Sequence, residues 1–399
     1  MWRNIASNAL TLLVVILIGL GGLLAWGQNQ FTRVGPLEQG ICLRVDRGAS
    51  IAAVSRQLAD QGAITQPVIF RLGAEYADKA DQLKFGSYLV APGSSMQEIL
   101  AVITRGGANT CGAEVNFRIG VNSHELILRE VDPATGRYNE VASFVPGTDE
   151  PAGAYDRAVA QGGLRYRVTL AEGVTSWQVV EALSTADFLS GQVSEVPPEG
   201  SLAPDSYEVE RDEARADLLA EMAARQARIL NELWAARAEG LPYDSPEQAL
   251  IMASIVEKET GVADERPTVA SVFVNRLRQG MRLQTDPTVI YGITNGRSVL
   301  GRGLRQSELR RATPYNTYVI DGMPPTPIAN PGRESIAAAL NPAETDYLYF
   351  VADGGGGHAF AETLAEHNRN VARWRQIEAE RARESAEPQD QLGPTPQAD

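Results

Sequence analysis

The longest apolar stretch, Asn8 to Gly27, carries no charge and has about the length that crosses a bilayer. Beyond it, apolar residues return at helical spacing: Ile51, Val54 and Leu58, then Met96, Ile99, Leu100 and Ile103, then Trp177, Val180 and Leu183. The runs that precede them, Leu43 to Ser50, Tyr88 to Ser95 and Arg167 to Thr175, share one pattern of strand, glycine turn and Ser or Thr cap. Between Gly106 and Gly163 the period shortens to alternation. Glu114 to Ile119 and Glu125 to Val131 predict strands, and Asp132-Pro133-Ala134-Thr135-Gly136 predicts a turn. Leu218, Met222, Ile229 and Leu233 then mark one face of a long amphipathic helix that stops before Gly240.

The run Ser245 to Gly261 breaks the amphipathic rule. Ser245, Pro246 and Gln248 read as a capped helix start, and from Ala249 to Val256 the helix is apolar almost all the way round, the pattern of a buried helix. Gly261 is expected as the left-handed residue after its end. Glu257 shares the face of Leu250 and Ala253, whereas Glu259 points roughly 200° away on helical geometry. Desolvation and the negative helix end would both raise the pKa of Glu257, which makes it the candidate general acid. The alternative is two solvated helix-end glutamates.

Downstream, Val269, Val272, Phe273 and Leu277 form a helix face ending at Gly280. Gln284, Thr285 and Asp286 beside Tyr291 offer the hydrogen-bonding groups and aromatic platform that a sugar cleft needs, although Asp286 before Pro287 also reads as an N-cap. Asn316, Thr317 and Tyr318 precede the proline-rich loop Met323 to Gly332 and are further cleft candidates. A helix from Glu334 to Leu340, a strand from Tyr347 to Ala352, a glycine turn and a helix through His367 and Trp374 follow. From Glu384 the tail is polar and expected to be disordered.

The chain has 399 residues, enough for two or three domains, and its net charge of -14 argues against nucleic acid as a partner. The two cysteines, Cys42 and Cys111, bracket one module; they either pair in an oxidising compartment or remain as buried thiols. No metal site is expected, because His358 and His367 lack helical ligand spacing and His124 stands alone. The glycine run before His358 lacks the lysine of a phosphate loop.

The run SIVEKETG, then ERPTVASVFVNRLRQGMRLQTDPTVIYG, TPYNTYVIDGMPPTPIANPG and YLYFVADGGGGHAF, resembles the endolytic murein transglycosylases, the YceG-like family. The resemblance is dense from Ala249 to Asn368. It implies an α+β protein with an N-terminal transmembrane helix, LysM-like βα units and a C-terminal mixed α/β catalytic domain whose buried helix carries Glu257 as acid/base. The corresponding boundaries are a cytoplasmic N-terminus 1–7, transmembrane helix 8–27, LysM-like region 41–106, β-rich insertion 107–165, a further LysM-like unit 166–200, catalytic domain 206–376 and disordered tail 384–399. No cofactor is implied. The implied partners are peptidoglycan glycan strands, the inner membrane through the N-terminal helix, with the catalytic domain periplasmic, and a cell-wall synthase. Two rivals stay open: a muramidase-type hydrolase using Glu257 and Asp286, and a non-catalytic glycan-binding scaffold.

Overall fold

The computed structural model describes residues 2–46, 48–105, 111–151, 153–161 and 163–386. The chain divides into two compact units, 1–117 with 125–167, and 118–124 with 168–399, so the division passes through three strands.

The first unit begins with helix α1 (Trp2–Thr32), longer at both ends than the anchor expected over 8–27. Within it, Thr11–Thr32 is long and apolar enough to cross a membrane, with mean hydropathy 2.0. Then come β1 (Ile41–Val45), α2 (Ile51–Asp60), α3 (Pro67–Tyr76), β2 (Gly86–Val90) and α4 (Met96–Arg105). The Ser50 hydroxyl caps α2 by accepting the Ala53 N–H, and Ser95 and Glu98 form a reciprocal cap on α4. β1 and β2 pair antiparallel, Ile41 opposite Val90 and Val45 opposite Gly86. What reads in sequence as two repeated βα units is therefore one module, with Leu43, Val54, Leu58, Phe70, Tyr88, Ile99 and Ile103 in a common core. Strand pairing, which sequence periodicity does not encode, merges them.

The expected insertion contains three neighbouring strands, β3 (Ala113–Ile119), β4 (His124–Val131) and β5 (Tyr138–Phe144), and a helix not foreseen, α5 (Gly153–Gln161). Leu126 faces Phe144 and Val131 faces Tyr138 across β4 and β5. Glu114 is 3% exposed and is held by Arg129 at 2.5 Å and Arg167 at 3.5 Å, the pairing that a buried carboxylate requires. Cys42 and Cys111 form a disulfide, with 5.5 Å between their Cα atoms.

The second unit continues with β6 (Arg165–Leu170), α6 (Ser176–Thr185), β7 (Leu189–Ser190), β8 (Ser206–Val209), β9 (Glu213–Ala214), α7 (Arg215–Ala235), α8 (Pro246–Glu259) and α9 (Arg266–Arg278). It closes with α10 (Asp286–Thr294), α11 (Gln306–Leu309), α12 (Arg333–Leu340), the hairpin β10 (Tyr349–Ala352) and β11 (His358–Ala361), and α13 (Leu364–Ala386). α13 runs past Glu384, where a disordered tail was expected; 387–399 lie outside the described residues.

Helix α8 starts as the sequence predicts, with the Ser245 hydroxyl accepting the Gln248 N–H and Pro246 in the first turn. Every residue from Ala249 to Val256 is buried, packed among Val269, Phe273, Ile336 and Leu340. Its end differs from expectation. Gly261 is not left-handed; Thr260 turns extended (φ -138°) and its hydroxyl accepts the Val262 N–H at 3.0 Å, a side-chain stop in place of a glycine stop. Inside the helix, the buried Ser254 hydroxyl accepts the Ile328 N–H at 3.0 Å and pins the proline-rich loop to the core. At α10 the N-cap is Thr285, with Asp286 the first helical residue.

Because α1 carries a membrane-length apolar run, the intact protein should stay in the membrane fraction through high-salt and alkaline washing, and release as a shortened soluble form would contradict this. The disulfide closes a sequence separation of 69 residues. Replacing both cysteines by serine should therefore lower unfolding free energy by about 4 kcal/mol, measured by denaturant titration of the detergent-solubilised protein.

Candidate active site

Helix α8 ends in Glu257, Lys258 and Glu259, and successive helical residues diverge by about 100°. The three side chains therefore enter three environments.

Glu257 Oε2 accepts the Gly332 N–H at 3.0 Å, at the start of α12. Glu172 lies beside it, pushed above the ordinary carboxyl range by burial and then by the Glu257 charge, while Arg266, 3.4 Å away, acts in the opposite sense. Lys258 turns to the Gly173 carbonyl at 3.2 Å, and burial lowers its ammonium pKa against the opposing pull of Glu257 and Glu199.

Glu259 meets the densest set of groups. Its Oε1 accepts the Thr285 hydroxyl hydrogen. Burial pushes the carboxyl up; the Thr285 hydrogen bond opposes this, the Asp286 charge adds to it, and His358 and Arg276 oppose it. Thr285 is itself fixed, since its N–H donates to the Thr317 hydroxyl oxygen at 3.0 Å and the Thr317 and Thr288 hydroxyls lie 2.9 Å apart. Gln284, at φ +50°, delivers its N–H to the Thr317 carbonyl at 3.1 Å. Asp286 Oδ1 accepts the Tyr318 hydroxyl at 2.6 Å, and burial followed by this carboxylate raises the Tyr318 phenol pKa.

The other wall is built from distant segments. The buried Arg276 guanidinium donates to the carbonyls of Leu348 at 2.7 Å and Leu283 at 2.6 Å. His358 Nδ1 lies 2.7 Å from Glu265, which also accepts the His358 N–H at 2.8 Å. Among the described residues no group of His, Cys, Asp or Glu is placed to hold a metal ion.

Several expectations change. Thr285, Asp286 and Tyr318, expected around Glu257, gather on Glu259. Facing Leu250 and Ala253 would single out Glu257 only if one side of α8 were buried; with the helix enclosed on all sides, that direction does not decide which carboxyl is desolvated. Asn316 and Thr317 are both 0% exposed. The Asn316 amide donates to the carbonyls of Glu308, Leu309 and Arg311, so it staples the loop and has no donor left for a ligand. Tyr291 turns away from this cluster: its hydroxyl donates to Glu199 at 3.1 Å and its ring lies 5.0 Å from that of Tyr315. Sequence reasoning missed Glu199, Arg276, Glu265 and His358. Three of them lie in the long motifs that follow α8; Glu199, in a proline-rich connection, carries no local signal.

Over 345 residues the chain is 25% identical to the endolytic murein transglycosylase of Streptococcus pneumoniae serotype 2 strain D39, covering 83% of this chain and 58% of that protein. Over 125 residues it is 45% identical to the endolytic murein transglycosylase of Bacillus subtilis strain 168, covering 31% of this chain and 34% of that protein. The chain thus spans less than two thirds of the length of these curated relatives. A crystal structure of a YceG-like protein from Listeria monocytogenes aligns over 83% of this chain and 98% of its own, at 24% identity and a TM-score of 0.45. Residues 43–143 and 147–373, most of the chain, match the YceG-like family, and the chain belongs to that family.

Proposed function

We propose that this protein is a peptidoglycan lytic transglycosylase that cleaves inside glycan strands at the bond between N-acetylmuramic acid and N-acetylglucosamine, with Glu259 as the acid/base. The observation that carries the assignment is a carboxyl raised by burial, held by Thr285, with Asp286 beside it. The two matched relatives bear the name of this activity.

In this chemistry the protonated carboxyl gives its proton to the glycosidic oxygen as the C1–O bond breaks and positive charge develops on the muramic ring. The muramic 6-hydroxyl closes on C1, and the carboxylate takes its proton, restoring the acid and leaving a 1,6-anhydro end. No water is consumed, so one carboxyl suffices for both transfers. Thr285 holds one Glu259 oxygen, and Tyr318 holds Asp286, whose negative charge next to the site favours the cationic transition state.

A hydrolase is the second reading, favoured by the proximity of two carboxyls. The pair would be Glu259 with Asp286, since Asp286 acts on Glu259 and bonds Tyr318, which leaves the Glu257–Asp286 pairing without support. In the transglycosylase reading, internal cuts in nascent strands end their elongation. α1 holds the protein in the inner membrane with its N-terminus cytoplasmic and the catalytic unit periplasmic, the first unit is a LysM-like glycan contact, and a cell-wall synthase supplies the strands.

The decisive measurement is mass spectrometry of fragments released from uncrosslinked glycan strands. Wild type should yield anhydro-muramic ends, lighter by one water than hydrolytic ends, and hydrolytic ends would establish the muramidase instead. Glu259→Gln should lose on the order of 10²- to 10⁴-fold in turnover while still binding strands. Glu257→Gln keeps an acceptor for the Gly332 N–H and should lose far less; the reverse ranking would return the acid role to Glu257.

The same burial makes a stability prediction whose sign is fixed. A carboxyl whose folded pKa lies above its unfolded value near 4.5 costs stability as pH rises from that value through the folded pKa. Glu259→Gln removes this cost. The stability difference between variant and wild type should therefore shift in favour of the variant between pH 4 and pH 8 in parallel denaturant titrations, roughly in proportion to the pKa shift.

A further inference from the structure

Helix α3 is apolar on two opposite sides. Phe70 and Ala74 are fully buried in the core of the first unit. Val68, Leu72 and Tyr76, four residues apart, form an outward stripe that is 55%, 58% and 96% exposed. An exposed apolar stripe on a helix whose other side is already buried marks a contact surface. Phe85, in the connection that leaves the helix, is a further exposed aromatic at 57%.

The position of the stripe identifies what covers it. The Phe31 ring, in the last turn of α1, lies over Gly73, where any Cβ would collide with it. Gly73 therefore lets the end of α1 approach α3 closely, directly beside Leu72. The candidate span Thr11–Thr32 closes on Gln28, Asn29 and Gln30, the polar turn after the apolar run, which places Phe31 at the end of the span. If Thr11–Thr32 spans a bilayer, its outer boundary falls at the level of α3, where Phe31 meets Gly73.

We propose that α3 lies against the outer face of the bilayer and inserts Val68, Leu72 and Tyr76 into the interfacial zone, making the first unit a membrane-seated collar around the exit of α1. Tyrosine suits that depth, with an apolar ring and a hydroxyl that reaches water. The charges nearby are balanced: Arg71, Lys79 and Lys84 stand against Glu75, Asp78 and Asp81. Anchorage is therefore by apolar contact with neutral lipid, with no need for an anionic headgroup. Its consequence is a fixed orientation of the first unit on the membrane, where a bare tether would let it tumble.

This inference rests on reading α1 as a membrane span, and the experiment separates the two. The full-length protein, its disulfide intact, is reconstituted at one copy per phosphatidylcholine nanodisc with an environment-sensitive fluorophore on Leu72→Cys, on Tyr76→Cys or on Leu20→Cys. Nitroxide-labelled lipids are included with the quencher either shallow or deep. The expected result is blue-shifted emission at 72 and 76 quenched by the shallow probe, and quenching at 20 by the deep probe. Quenching at 20 with water-like, unquenched emission at 72 and 76 overturns the collar while leaving the span in place. Unquenched emission at all three positions overturns the span and the collar together. Shielding of 72 and 76 that appears only when copies are crowded assigns the stripe to a second copy and also overturns the proposal.

Discussion

Helix α8 has no polar side between Ala249 and Val256, and the second unit is built to satisfy that one constraint. A helix of this kind is unstable unless it is enclosed, so α9 and α12 pack on it through Phe273, Ile336 and Leu340, and the proline-rich loop is hydrogen-bonded to its Ser254. Enclosure also fixes where chemistry can occur. The charged residues appear only at the two ends, Glu247 in the exposed first turn and Glu257, Lys258 and Glu259 in the last, where the helix leaves the core and all three are half-buried.

The last turn distributes its charges with a division of labour. Glu257 is tied to the backbone of Gly332, a contact that holds the start of α12 against α8. Lys258 reaches Gly173. Glu259 alone is met by a hydroxyl, a second carboxylate, an imidazole and a guanidinium. Groups of opposite effect on one buried carboxyl are what tuning of an acid requires: desolvation and Asp286 raise its pKa, while Thr285, His358 and Arg276 limit the rise. Each of these is in turn held by the backbone or by a neighbour, Thr285 by Thr317, His358 by Glu265 and Arg276 by two carbonyls, so the groups around Glu259 are fixed by bonds within the protein.

The first unit solves a different problem. Its core is small, and it is reinforced covalently by the Cys42–Cys111 bridge, which joins β1 to the start of the β3 region. Glu114, buried between Arg129 and Arg167, locks the neighbouring strands. These ties stiffen a module whose helix α3 still carries exposed apolar residues.

Local elements were legible in the sequence because short-range sterics and hydrophobic period determine them. The Ser245 cap, the buried run to Val256, the strands over Glu114 to Val131 and the glycine hairpin before His358 all follow from neighbours a few residues apart. The long motifs after Ser254 gave the family. Tertiary structure alone decided which strands pair, and so made one module of β1 and β2 where the sequence shows two similar units. It alone decided which groups surround Glu259, because Thr285, Asp286, Arg276 and His358 come from segments brought together across the fold. It also withdrew Asn316 and Thr317 from the cleft by burying them in loop contacts. A carboxyl's pKa and a side chain's availability are properties of everything packed around it, and helical direction along one segment carries only part of that information.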